Sequence, residues 1–213
     1  MKILIACEFS GIVRESFKAR GHYAVSCDLL PTEIPGDHYQ GDVFDIIDDD
    51  WDLMIAHPPC TYLSYAANHV WFKPGRSENR EAAKDFFFKL YFSNVPRIAI
   101  ENPVGYMNTV FRQPDQVVHP YFFGDDYMKK TCLWLKNLPL LSYDKTIIKK
   151  PEPIYYKDGK AVNWCESVTG TKEKERWKIR AKTFPGIAKA MAEQWGYLSG
   201  TQINFLSYNY GIR

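Results

Sequence analysis

Trp51-Asp52-Leu53-Met54-Ile55-Ala56-His57-Pro58-Pro59-Cys60 is the stretch that decides the architecture. Its core, Leu53 to Ala56, is short and unbroken, the pattern of a strand buried on both faces of a parallel sheet. Pro58 and Pro59 stop it hard, because neither can donate to a ladder. With φ fixed at both positions, they project Cys60 rigidly from the sheet edge. A thiol held there is placed to act as a nucleophile if its thiolate is favoured. The same tetrapeptide reads equally well as a strand terminator followed by a packed cysteine.

Working upstream, Ile3-Leu4-Ile5-Ala6-Cys7 is another apolar run and reads as a second buried parallel strand. After Ser10-Gly11, residues Ile12, Val13, Ser16 and Phe17 recur at helical spacing. Ser10 is the expected cap of that helix and Gly21 the left-handed residue past its end. Ala24-Val25-Ser26-Cys27-Asp28 reads as a strand ending on an acid, and Gly41-Asp42-Val43 as a short third element. Downstream, Ser77 is the expected cap of a helix whose Ala83, Phe86, Phe87, Leu90 and Tyr91 share one face. Arg97 to Asn102 is a fifth strand and Thr131 to Leu135 a sixth. Ile187, Ala190, Met191, Gln194 and Trp195 mark a last helix that Gly196 ends. This alternation predicts an α/β fold, a mostly parallel central sheet flanked by helices, with right-handed crossovers. Ligands in such sheets bind beyond the carboxyl ends of the strands. Glu8, Asp28, Cys60 and the pair Glu101-Asn102 all fall at such ends.

The composition fits this architecture and narrows the function. With 213 residues, 46% of them hydrophobic, the chain is read as one domain over 1–213. No apolar run approaches the ~18 residues a membrane span needs, so no membrane partner is expected. Met1 to Glu8 is too short and too soon acidic for a signal peptide. The five cysteines are widely spaced with no C-x-x-C pair, and His22, His38, His69 and His119 stand isolated. A reduced, cytoplasmic protein without a metal site is therefore expected. The net charge of +2 conceals a split: residues 1–126 carry 11 basic and 18 acidic side chains, residues 127–213 carry 16 and 7. A basic C-terminal part suggests a polyanionic partner, against the plainer reading of a solvated surface.

At this point the motifs resemble a family. Pro58-Pro59-Cys60 after the fourth strand and Glu101-Asn102 after the fifth are similar to the signature of the DNA cytosine-5 methyltransferases. Phe9-Ser10-Gly11 resembles that family's methyl-donor loop, Asp28 its ribose-binding acid, and Gly41-Asp42-Val43 its adenine-contacting segment. More closely, the chain resembles small methylase-like proteins of phages and prophages. These share the runs His57 to Thr61, Glu101 to Pro103 and Thr183 to Ala188. The resemblance implies a class I methyltransferase with a Rossmann-like fold, S-adenosyl-L-methionine as cofactor and cytosine-containing DNA as partner, in a bacterial cytoplasm. A restriction-modification role is part of that implication. It assigns catalysis to Cys60, Glu101 and Asn102. The donor falls to Glu8, Phe9, Ser10, Gly11, Asp28, Leu29, Asp42, Val43, His57 and Pro58. The substrate falls to Pro59, Thr61, Tyr62, Lys129, Lys130, Arg176 and Arg180.

In the mechanism so implied, Cys60 adds to carbon 6 of cytosine, Glu101 holds the exocyclic amine and ring nitrogen 3, and carbon 5 takes the methyl group. The chain also departs from the family. Thr61 replaces the usual Gln, Pro103 the usual Val, and Val13 stands where a second glycine is usual, which tightens the room for the donor. Residues 136–180 are short for a target-recognition region and are read as a small basic insertion. Residues 181–196 are read as a helix packing back on the core. Lys172, Lys174, Arg176, Lys178, Arg180 and Lys182 recur at every second position there, with Trp177 interleaved. With Lys129, Lys130, Lys145, Lys149 and Lys150 they are suited to phosphates, giving affinity without sequence readout. Three readings follow. The chain methylates DNA, with or without a separate specificity partner; it acts on a cytosine nucleotide or single strand; or it binds nucleic acid without catalysis. Tyr62 and Tyr65 either flank a flipped base or pack the loop.

Overall fold

Continuous apolar runs build the centre of the sheet in this computed structural model, which describes residues 1–70, 72–152, 154–155, 161–162 and 173–197. Ile3 to Ala6, Leu53 to Ala56 and Ile98 to Ile100 are all fully buried. They belong to β1 (Lys2–Ala6), β4 (Leu53–Ala56) and β5 (Ile98–Pro103). β2 (Tyr23–Asp28) and β3 (His38–Gln40) extend the sheet on one side. On the other side lie β6 (Gln116–Val118) and β7 (Thr131–Lys136). The strand order is β3-β2-β1-β4-β5-β7-β6. β1 to β5 run parallel, whereas β7 is antiparallel to both β5 and β6. This is a doubly wound, Rossmann-like α/β sheet with one reversed strand inserted, the mostly parallel architecture expected from the sequence. β8 (Ile154–Tyr155) and β9 (Ala161–Val162) form a separate antiparallel pair.

Because alternate residues of a strand point to opposite faces, each central strand feeds two cores. Ile3, Ile5, Leu53, Ile55 and Ala99 face α1 (Ile12–Lys18) and a C-terminal helix, burying Val13, Phe17, Ile187, Met191 and Trp195. Leu4, Met54, Ile98, Ile100 and Trp134 face α2 (Arg76–Tyr91), burying Phe87 and Leu90. A short helix, α3 (Met107–Val110), follows β5. The C-terminal region holds two helices rather than one. α4 (Glu173–Ala181) lies almost wholly within the stretch read as a small basic insertion, and α5 (Pro185–Trp195) begins with Pro185 in its first turn. The second buries Ile187, Met191 and Trp195 against α1 and the sheet.

Three local expectations are revised, and one strand was not foreseen. α1 is capped by Gly11 at φ 78°, not by Ser10, and α2 by Gly75 at φ 76°, which leaves Ser77 inside the first turn. The third strand is His38–Gln40; Asp42 instead caps a 3-10 turn over Val43–Asp45. β6, an edge strand of three residues, is too short to carry a readable alternation. Gly21 does supply a left-handed residue after α1, at φ 80°.

Candidate active site

β1, β4 and β5 all end on one rim. The His57 amide donates to the Ala6 carbonyl at 2.9 Å, which carries the β4–β1 ladder one residue further. Ala56 pairs with Ile100 across β4 and β5, so His57 and Glu101 are the next register pair on the same face. Reversal of β7 pairs Thr131 with Pro103, which brings Lys129 and Lys130 onto this rim from a distant part of the sequence. His57 Nδ1 donates to Glu101 Oε2 at 3.0 Å, and Lys129 Nζ lies 4.0 Å from Oε1. The His57 and Glu101 side chains are only 7% and 11% exposed, so solvent screens this cluster little. Burial pushes the Glu101 carboxyl up, but Lys129 and the His57 hydrogen bond outweigh it and hold the group at about 2. Glu101 is thus a carboxylate at neutral pH.

Cys60 sits in a clamped loop. The buried Asn102 turns its Nδ2 to the Pro58 carbonyl at 2.9 Å, which makes it a positioning residue rather than one aimed at the rim. The Cys60 carbonyl accepts from the amides of Leu63 and Ser64 at 3.1 and 2.9 Å, and the Tyr106 amide donates to the Leu63 carbonyl at 2.7 Å. Only glycine fits at 105, because a Cβ there would lie 1.9 Å from that carbonyl oxygen. From α2, Arg80 Nε donates to the Tyr62 carbonyl at 3.0 Å and the Arg76 guanidinium lies 4.7 Å from the Tyr62 ring centre. The Tyr65 hydroxyl shares a 2.7 Å hydrogen bond with Thr109 Oγ1, which favours loop packing for that residue. Gly105, Arg76 and Arg80 were not singled out from the sequence. Their role depends on which loop they meet, and no local pattern carries that.

Cys60, Pro59 and Thr61 are exposed at the rim. Crowding by neighbouring protein and then the Glu101 charge push the Cys60 thiol up, while Lys129 and Arg180 pull it down without cancelling the rise. The resting thiol therefore keeps its proton at neutral pH, so the condition set for a nucleophile, a favoured thiolate, is not met by the site at rest.

On the β1 side, Glu8 holds its own loop. Its Oε1 accepts from Ser10 Oγ at 3.0 Å and the Val13 amide at 2.7 Å, and its Oε2 from the Arg14 amide at 3.3 Å. The acid thus satisfies donors at the start of α1 that have no partner inside the helix. Ser10 takes the Ile12 amide at 3.3 Å. Gly11 is required both by its positive φ and by Arg14, whose guanidinium would lie 2.7 Å from a Cβ. Arg14 is fully buried and donates to Ser26 Oγ and to the Ile34 carbonyl, tying the loop after β2 to α1. Val13 points into the sheet core, so its bulk does not narrow the crevice as expected.

At the β2 end, Asp28 Oδ1 accepts from the Leu30 amide at 2.9 Å, and burial pushes the carboxyl up. Leu29 beside it is 74% exposed, an apolar surface left open at the rim. Asp42 Oδ1 accepts from the Phe44 amide at 3.0 Å and Val43 is buried.

α4 lies over this edge: the Trp177 ring centre is 6.1 Å from that of the buried Phe9, and the Arg180 carbonyl accepts from Lys129 at 3.3 Å. The alternate-residue basic run does not make one stripe, because residues two apart on a helix face different ways. Lys178 stands 5.8 Å from the Trp177 ring centre, Arg180 is exposed, and Lys182 pairs with Glu33 at 2.5 Å. Lys130, Lys145, Lys149 and Lys150 are exposed. Arg176 belongs to α4, but its side chain lies outside the described residues, as does Lys172.

No family model matches the chain, and no curated protein matches it in sequence. Among solved structures it is similar to the Entamoeba histolytica methyltransferase EhMeth, at 12% identity and TM-score 0.47, over 72% of this chain and 58% of that one. It is also similar to a candidate DNA modification methyltransferase encoded within an E. coli prophage, at 14% identity and TM-score 0.44, over 81% and 56%. The chain spans less than three fifths of either neighbour's length, and the likeness is one of fold. Among the described residues, no helix is long and apolar enough to cross a membrane, and no group of three or more His, Cys, Asp or Glu is set to hold a metal.

Proposed function

We propose that this chain is an S-adenosyl-L-methionine-dependent methyltransferase acting on carbon 5 of cytosine in DNA, through a transient bond from Cys60. The observation that carries this reading is the buried His57–Glu101–Lys129 cluster beside an exposed, clamped cysteine at the carboxyl ends of β4 and β5. The donor suits the neighbouring strand ends. Asp28, held by the Leu30 amide at the β2 end, is an acceptor for ribose hydroxyls. Exposed Leu29 offers an apolar face for a purine, and Asp42 and Val43 shape the turn beneath it. Glu8, Ser10 and Gly11 form the rigid floor of the Phe9 loop.

Each side chain then has a defined task. Cys60 loses its proton and adds through sulfur to carbon 6, moving electron density to carbon 5. Arrival of the base displaces water and sets Lys129 and Arg180 to favour the thiolate. Glu101 accepts from the exocyclic amine and holds the ring against the sulfur. The bound donor supplies an electrophilic methyl group. Water takes the carbon-5 proton as the sulfur leaves carbon 6 as a thiolate, which restores the ring, and the Cys60 thiolate then regains a proton from solvent. A duplex target must leave its stack, at a cost of a few kcal/mol, and Lys129, Lys130, Arg176, Arg180 and the lysines of 145–150 offset this on the phosphates. With residues 136–180 in place of a recognition region, base readout is slight within one domain over 1–213, and a separate partner supplies specificity where any is needed.

The test is transfer of labelled methyl from the donor to duplex, single strand and free cytosine nucleotide in parallel. Label at carbon 5 supports the proposal, and its distribution across acceptors fixes the substrate class. Label elsewhere, or salt-dependent DNA binding with no donor binding, refutes it; the latter outcome would leave a non-catalytic DNA-binding protein.

A further inference from the structure

We propose that His119 and Lys130, opposed across the end of the β6–β7 ladder, form with Lys150 a binding site for one phosphodiester of a nucleic-acid strand. The inference rests on the reading of nucleic acid as the partner, and not on the methyl-transfer chemistry.

Strand register brings the pair together. Val118 opposes Thr131 in the antiparallel ladder, so His119 and Lys130 are the next residues to face each other. His119 keeps an extended backbone, at φ −124° and ψ 150°, before Pro120 begins the following turn. Directly opposed residues have Cβ atoms about 4.5–5.5 Å apart, and like charges placed there cost the sheet stability. An oxyanion between the two side chains removes that cost. Lys129, adjacent to Lys130, lies 4.0 Å from Glu101, so the pair adjoins the reactive rim.

The imidazole is held by packing. Its ring centre lies 5.2 Å from that of Tyr121 and 5.4 Å from that of Phe122. His119 Nδ1 is buried with no hydrogen-bond partner among the described residues, which leaves Nε2 as the nitrogen to meet a ligand. The charged groups acting on the ring are Lys130 from β7 and Lys150 from the loop after it, and no acid is among them. Both lysines are exposed, and among the described residues neither is paired with a carboxylate. Three nitrogen-bearing side chains thus gather at one edge with no anion of the chain's own to balance them.

The grouping has a consequence in pH. Burial, and then the charges of Lys130 and Lys150, hold His119 below the usual histidine range, so the ring is neutral at pH 7 in the unbound protein. A phosphodiester seated between the side chains offsets both lysine charges and favours the imidazolium. Binding therefore takes up one proton from solvent. Affinity rises as pH falls through the interval between the bound and unbound titrations of His119, and is flat above it.

The experiment follows the His119 imidazole of the whole chain by proton NMR, with and without a single-stranded oligonucleotide that lacks terminal phosphates. Fluorescence anisotropy gives the affinity from about pH 5 to 8 at two salt concentrations. The His119 titration should move to higher pH in the complex, and affinity should rise about tenfold as pH falls across that range. His119→Gln should flatten the profile. Lys130→Gln should weaken binding at every pH and lower the salt slope by about one phosphate contact. Inorganic phosphate alone should move the His119 titration far more weakly than the strand does. A strand that binds without moving that titration, or an unchanged pH profile in His119→Gln, would overturn the site and leave the proposed function standing. Inorganic phosphate bound as tightly as the strand would assign the pair to a small anion and overturn the nucleic-acid assignment. Proton uptake on strand binding with no methyl transfer would support the site and refute the proposed function.

Discussion

The two halves of the rim use their acids in opposite ways. On the β1–β2 side, Glu8 takes three hydrogen bonds from its own loop and Asp28 takes the Leu30 amide. On the β4–β5 side, Glu101 accepts one side-chain hydrogen bond among the described residues, from His57, and has Lys129 Nζ 4.0 Å from its other oxygen. The first half is a floor whose polar groups satisfy one another, so its role is to hold a shape. The second half keeps a concentrated charge beside an exposed thiol, where the proposed function would develop transition-state charge. Under the proposed function, satisfied loops on one side and a concentrated charge on the other separate binding surface from chemistry.

That contrast can be broken by substitution. The largest expected effect is on the reactive half: Glu101→Gln should lower methyl transfer by about 100-fold or more, the scale of losing one electrostatic contact made in the transition state. Kinetics under saturating donor would show this as a fall in kcat. Next, Gly105→Ala forces a Cβ onto the Leu63 carbonyl and should displace the Cys60 loop, costing about 2–4 kcal/mol in denaturant unfolding together with activity. On the floor, Glu8→Ala removes the acceptor at the start of α1 and should cost about 1–2 kcal/mol of stability. Its activity loss should follow unfolding and disappear in the folded fraction. If Glu8→Ala instead cuts kcat in fully folded protein, the two halves are not divided as described.

The pH response sharpens the same division. Glu101 titrates at about 2 in the folded chain against an ordinary 4.5, so the native state binds fewer protons than the unfolded one between those values. Its contribution to stability is present above about pH 4.5 and is lost as pH falls toward 2. Glu101→Gln should flatten that part of an acid-unfolding curve. The thiol gives a kinetic counterpart: iodoacetamide should modify Cys60 more slowly than a free cysteine at neutral pH. Lys129→Ala should slow it further and Glu101→Gln should speed it. The smallest effect is expected at Lys182→Ala, whose partly exposed pair with Glu33 is worth ~0–1 kcal/mol and should leave activity unchanged.

Much of this rim was legible in the sequence because strand ends are local. Unbroken apolar runs marked β1, β4 and β5, and the residues just past each run had to fall on one edge. The reversed β7 was legible as a strand but not as a reversal, so Lys129 beside Glu101 was only a loose expectation. Caps were misassigned where a glycine at positive φ replaced the usual side chain, at Gly11 and Gly75. Arg14 went unnoticed because an arginine in an amphipathic helix ordinarily faces solvent, whereas here it is fully buried among polar partners on the β2 loop. His57 was visible next to Cys60, yet its bond to Glu101 depends on the register between β4 and β5, which no single-strand pattern contains.

The most direct test of the account is transfer of labelled methyl from S-adenosyl-L-methionine to cytosine-containing DNA, by wild type and by Cys60→Ala. The account predicts label at carbon 5 with the wild type and loss of roughly a thousandfold or more in the variant, since removal of a nucleophile ends covalent catalysis. Undiminished transfer to carbon 5 by a folded Cys60→Ala protein would contradict it.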